Sequence, residues 1–87
     1  MKVIHKFRLI SRCPNNGDID EYEVEVQTDG MIQCEELILI ADSYKEVPVY
    51  QETLTHNILI SLNGRATRVR TTGLHLKGSI QTEVVCE

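Results

Sequence analysis

The run Glu21-Tyr22-Glu23-Val24-Glu25-Val26-Gln27 constrains the fold more than any other part of the chain. Its apolar residues occupy every second position, the period of a strand with one dry face and one wet face. Tyr22, Val24 and Val26 are expected to face a core, and Glu21, Glu23 and Glu25 to face solvent. A sheet wet on one side favours antiparallel pairing, because parallel sheets are usually covered on both faces.

Val3 to Ile10 alternates in a similar way, with Val3, Phe7 and Leu9 on one side, and reads as a first strand. Pro14-Asn15-Asn16-Gly17 supplies turn residues between the two strands, and Thr28-Asp29-Gly30 ends the second. From Gln33 to Lys45 two readings compete. Leu37-Ile38-Leu39-Ile40 on its own suits a buried strand, but Leu37, Ile40, Ala41 and Tyr44 recur at helical spacing and the flanks are polar. The spacing predicts a helix, broken at Glu46-Val47-Pro48. Between Tyr50 and Leu62 a second helix places Leu54, Ile58 and Leu62 on one stripe, with Asn63-Gly64 as its stop. Two strands follow, Ala66 to Thr72 and Leu74 to Val85, and Gly78 inside the last one predicts a bulge or a close backbone approach. The order β-β-α-α-β-β predicts an α+β domain: a four-stranded antiparallel sheet with two helices on one face. One such domain accounts for residues 1–87.

A chain of 87 residues has a modest core, and self-association would help it. With one Phe, three Tyr and no Trp, that core is expected to be mostly aliphatic. No stretch approaches the ~18 apolar residues of a membrane span, and the N-terminus alternates where a signal peptide would carry a continuous apolar block. A cytoplasmic location without membrane association is the expectation. Cys13, Cys34 and Cys86 cannot all pair within the chain and form no CxxC, so neither a disulfide framework nor a structural zinc site is indicated. His5, His56 and His75 lack metal-ligand spacing, and no glycine-rich phosphate loop is present.

The net charge of −4 is unevenly placed. Between Gly17 and Glu36 stand eight acids and no Lys or Arg. Arg65, Arg68, Arg70 and Lys77 form a later segment without acids. The acidic segment argues against a general nucleic-acid binder, and the basic one leaves room for a single strip. Mutual attraction of solvated strand faces is the simpler account of both.

Two features carry chemistry. Cys13 precedes a proline, which keeps it out of a helix and in an extended or turn segment, and Asp20 starts the next strand. If the turn folds back, a carboxyl beside a thiol can act as acid or base in an addition to a carbon–nitrogen multiple bond. On spacing alone, a half-buried structural cysteine and a strand-starting aspartate are the commoner outcome. Glu52 lies at the start of the second helix, where the dipole favours a carboxylate. It would equally suit a guanine-like edge, whose adjacent N–H and NH₂ donors match two carboxylate oxygens.

CPNNGDID resembles the CP-x-x-G-x-x-D signature of the 7-cyano-7-deazaguanine (preQ0) reductase family, a branch of the tunnelling-fold enzymes. IQCEELILIADSYKEVPVYQETLTHNI is similar to that family's VESKSLKLYLNSFRxxxxFHEDxxNRI, without a gap between Gln33 and Glu52, and VRTTGLHLKGSIQTEV resembles its final strand pair. The resemblance implies the tunnelling fold. It implies that Cys13 attacks a nitrile to form a thioimide, that Asp20 protonates the nitrile nitrogen, and that Glu52 grips the deazaguanine edge. Gln33 and Gln51 stand where the family has a glutamate and a histidine of its substrate-binding set. The run that the reductase uses for NADPH, ESKSLKLY, is QCEELILI here, with Glu35 in place of a lysine. This pattern is closer to the archaeosine synthases of the amidinotransferase type, which keep the Cys and Asp and lack the NADPH motif. The expected reaction is therefore addition of ammonia to preQ0, free or in tRNA, without a cofactor. A homo-oligomer with sites at subunit interfaces is implied, and the Arg65–Lys77 strip is a candidate for tRNA phosphates. The alternatives are an NADPH-dependent nitrile reductase and a non-catalytic module that binds a purine- or pterin-like base.

Overall fold

The computed structural model describes residues 1–75 and 79–87. In chain order the elements are β1 (Val3–Arg12), β2 (Ile19–Thr28), α1 (Cys34–Ser43), α2 (Gln51–Ser61), β3 (Ala66–His75) and β4 (Ile80–Cys86). The strands form one antiparallel sheet in the order β1-β2-β3-β4. The expected α+β class and element order are both observed.

The register explains which face is dry. Leu9 pairs with Tyr22, Phe7 with Val24, and Val26 with Val69, so their side chains share one side of the sheet. Both helices pack against that side. Leu37 of α1 and Leu54, Ile58 and Leu62 of the α2 stripe join the strand residues in one core cluster, with the α2 trio at 0 % exposure. The helices therefore hold because an apolar stripe meets an apolar face. The core is aliphatic apart from Tyr22, with Phe7 and Tyr44 at its margin. Asn63 and Gly64 end α2 with positive φ values of 58° and 81°, the left-handed geometry expected of a helix stop.

The expected boundary between the last two strands is corrected. β3 does not end at Thr72; it runs through Gly73 and Leu74 to His75, which pairs with Ile80. β4 accordingly starts at Ile80 rather than Leu74. A glycine after two threonines looks like a break, but Gly73 sits mid-strand, paired with Tyr22 on one side and Thr82 on the other. Gly78, and with it the expected bulge, lies outside the described residues, as do Leu76 and Lys77.

The opposite face of the sheet is bare and carries charges in bands. β1 contributes Lys6 and Arg8, β2 Glu21, Glu23 and Glu25, and β3 Arg68 and Arg70. Glu25 bridges Lys6 at 3.4 Å and Arg70 at 2.8 Å, and Glu23 meets Arg8 at 3.5 Å. The acidic and basic segments of the sequence thus attract each other across strands. Arg65 likewise forms a two-pronged pair with Glu36. Two arginines of the basic strip are committed to carboxylates, and Lys77 is not among the described residues.

Burial pushes the Glu25 carboxyl up, but its bonds to Arg70 and Lys6 outweigh this and hold it below the ordinary carboxylate range. A depressed carboxyl contributes stability above its unfolded value and loses it as pH falls through the folded one. Glu25→Gln is expected to lower urea stability at neutral pH by roughly 0.5–1 kcal/mol. The gap to the wild type should close once the pH is acidic enough to protonate Glu25 in the fold.

Candidate active site

The turn after β1 is built by its own backbone. The Cys13 amide donates to the Asp18 carbonyl at 2.7 Å, and the Gly17 amide donates to the Cys13 carbonyl at 2.8 Å. The Asn16 side-chain oxygen accepts from the Asp18 amide at 2.9 Å, and Gly17 takes a φ of 76°. These polar turn residues fold the chain back so that Cys13 and the start of β2 face each other. Cys13 and Asp20 are both half-buried.

A second segment is fastened to the same corner. The Arg12 amide donates to the Val47 carbonyl at 3.0 Å, and the Val49 amide donates to the Arg12 carbonyl at 3.2 Å, a short parallel bridge opposite Pro48. The Arg12 guanidinium reaches Glu46 and the Gly17 carbonyl, so it points away from the thiol as its strand position implies. The Tyr50 hydroxyl donates to the Asn15 side chain at 3.0 Å. Together these contacts bring the N-terminus of α2, and Glu52 in its first turn, beside the Cys13 turn.

Gln51 turns inward. It is 6 % exposed, and its amide nitrogen donates to the Thr71 carbonyl, the Thr71 hydroxyl and, at 2.8 Å, the Thr82 carbonyl. The Thr55 hydroxyl joins this cluster through Gln51 and Thr71. The carboxamide that the resemblance places in a substrate-binding set is thus engaged within the fold, tying α2 to β3 and β4. Gln33 is the exposed N-cap residue of α1 and makes no side-chain capping bond.

Tyr22 is the residue that sequence reasoning missed. Its position in the alternating run marked it only as core. Its hydroxyl donates to Asp20 Oδ2 at 3.4 Å. Its acidity is depressed to a pKa of about 12, first by burial, then by Asp20, and further by the approach of Cys13 and Glu52. One phenol therefore stands within electrostatic reach of all three chemistry-bearing residues named from the sequence. The ring reaches this place over Gly73: a Cβ there would lie 2.8 Å from Tyr22 Cε1 and 3.2 Å from Gln51 Oε1. Ser11 faces Asp20 across the ladder, and its fully buried hydroxyl has no hydrogen-bond partner among the described residues.

A cavity of about 590 Å³ is the trough on the bare face, lined by Lys6, Arg8, Glu23, Arg70 and Glu83 among others. It includes none of Cys13, Asp20 and Glu52, which belong to the helix side at one end of the sheet. The candidate site is therefore the group of convergent side chains rather than the trough. Among the described residues no group of His, Cys, Asp and Glu is placed to hold a metal ion.

No known family's sequence profile matches the chain, and no curated protein does. A solved structure does match, that of "the archaeosine synthase QueF-Like in the apo form". The TM-score is 0.81 at 25 % identity, over 98 % of this chain and 90 % of that one. The chain is of the QueF-like, archaeosine synthase type in its architecture. The four antiparallel strands and two helices in the expected order are the tunnelling fold of that neighbour.

The close passage of Tyr22 over Gly73 gives a direct test. Gly73→Ala should cost about 1–3 kcal/mol in chemical denaturation, because the ring and the Gln51 amide must both move. The Tyr22 hydroxyl should leave Asp20, so near-ultraviolet circular dichroism should change along with stability.

Proposed function

We propose that this protein acts on the nitrile of 7-cyano-7-deazaguanine, as the free base or within tRNA, through a thioimide on Cys13, and that ammonia resolves the intermediate to a formamidine. The observation that carries this reading is the convergence of Cys13, Asp20 and Glu52 around the Tyr22 hydroxyl in a chain of QueF-like architecture.

The roles follow from the chemistry of each group. Glu52 offers two oxygens to the adjacent N–H and NH₂ donors of the deazaguanine edge. The Cys13 sulfur adds to the nitrile carbon. Its proton reaches the nitrile nitrogen by way of Asp20, so the S–H bond and one C–N π bond break while S–C and N–H bonds form. Ammonia then attacks the thioimide carbon, the S–C bond breaks, and the thiol returns with the amidine as product. Gln51 supports Glu52 by fixing the first turn of α2. The resemblance implies sites at subunit interfaces, so on this reading a second copy completes the pocket and the active form is a homo-oligomer.

Hydride from NADPH is the chemical alternative for the second step. The residues present do not suit that cofactor. Where the resemblance puts its phosphate-binding lysine run, α1 opens with Glu35 and Glu36, and the nearby Arg65 is taken by Glu36. Carboxylates there repel a phosphate, which favours ammonia.

Incubation with preQ0, or with preQ0-bearing tRNA, should give an adduct in the intact mass, and Cys13→Ala should remove it. Ammonium should then release a formamidine without NADPH. Failure of both substrates at saturation overturns the reading and leaves a non-catalytic base-binding module, whereas NADPH oxidation on adding preQ0 selects the reductase. Glu52→Gln should weaken binding of the base roughly tenfold or more, since a donor replaces a charged acceptor; calorimetry on the Cys13→Ala background measures it without chemistry.

A further inference from the structure

We propose that Tyr22 is a positioning residue for this reaction: its hydroxyl holds the Asp20 carboxyl in the orientation from which a proton passes from the Cys13 sulfur to the substrate nitrogen. The inference rests on the nitrile chemistry proposed above and adds a residue to it.

The case begins with the placement of Asp20. It is the second residue of β2, half-buried, and Tyr22 Oη is the hydrogen-bond partner the structure gives its carboxyl among the described residues. Tyr22 is two residues further along the same strand, so both side chains rise from one face of the sheet. The phenol, unlike Asp20, has no freedom. Its ring is 3 % exposed, packed in the core with Leu9 opposite, and threaded over Gly73 where a methyl group would collide with it. Rigidity is thus passed from the core to the carboxyl.

The second point is which oxygen is held. The phenol binds Oδ2, which leaves the other oxygen of Asp20 to receive the thiol proton and deliver it. A group that only packed would not need a hydroxyl: Phe would fill the same space, and a buried phenol requires a partner that Asp20 supplies. The hydroxyl also stays a donor throughout the neutral range, because burial and the surrounding acids oppose its ionisation. It orients and never competes for the proton.

Tyr22→Phe keeps the ring and removes the oxygen. The rate of preQ0 adduct formation, followed by intact mass, should fall about tenfold, the loss of one hydrogen bond to a charged group. Alkylation of Cys13 by iodoacetamide, read on its own peptide, should proceed at the wild-type rate. Affinity for preQ0 on the Cys13→Ala background should also be unchanged. An adduct rate that does not move in Tyr22→Phe overturns the proposal while leaving the nitrile reading intact. Parallel losses in adduct rate, alkylation and affinity overturn it too, because they mark Tyr22 as packing alone. A wild-type protein that alkylates at Cys13 yet forms no adduct overturns the nitrile reading itself, and the proposal with it.

Discussion

The buried carboxamide of Gln51 is the contact on which the rest of the arrangement depends. A helix start carries amides without partners, and a strand pair presents carbonyls that can accept more than one bond. Gln51 answers the second need from the first location, donating to Thr71 and Thr82 from the first turn of α2. Thr55 and Thr71 close the cluster with a hydroxyl pair at 2.6 Å. Since these groups are buried, each would be costly to leave unpaired, and the cluster fixes where α2 begins more firmly than apolar packing does. Glu52 is the next residue along, so its location is a consequence of a polar bond beneath it.

Much of the fold was legible from periodicity. The β2 alternation predicted the dry and wet faces residue by residue, and the Leu54-Ile58-Leu62 stripe predicted the buried side of α2. Both depend on one dominant force, burial of apolar surface, which leaves a regular trace in sequence. The mistake at Gly73 has a different origin. Glycine there answers a neighbour from another strand, the Tyr22 ring, and no local pattern carries that information. Read locally, it was a strand end; read with β2 beside it, it is the space into which an aromatic ring fits.

The candidate site divides along the same line. The turn that folds the chain back between Cys13 and Asp20 was legible because it is local, and its Pro, Asn and Gly residues announce it. Glu52 was visible as a carboxylate at a helix start, where dipole stabilisation explains it as well as recognition of a base edge does, and spacing shared with a known family is what tied it to a substrate. Tyr22 was hidden by its own regularity: an inward position in an alternating run is indistinguishable from core until the end of its side chain is seen next to Asp20. Gln51 was named for a task at the substrate, yet a glutamine at a helix start does not reveal which way it points. The charge segments were easier, since complementary strips on adjacent strands pair by register alone.

The strap from Glu46 to Val49, hydrogen-bonded to both sides of Arg12, works like the frame of a caliper. One jaw carries the Cys13 sulfur and the other the Glu52 carboxylate. Their gap is gauged by main chain, so under the reaction proposed above a heterocycle is measured by its length before any of its atoms is recognised. A base with a longer fused system, held at the carboxylate jaw, would bring its reactive carbon to the wrong mark.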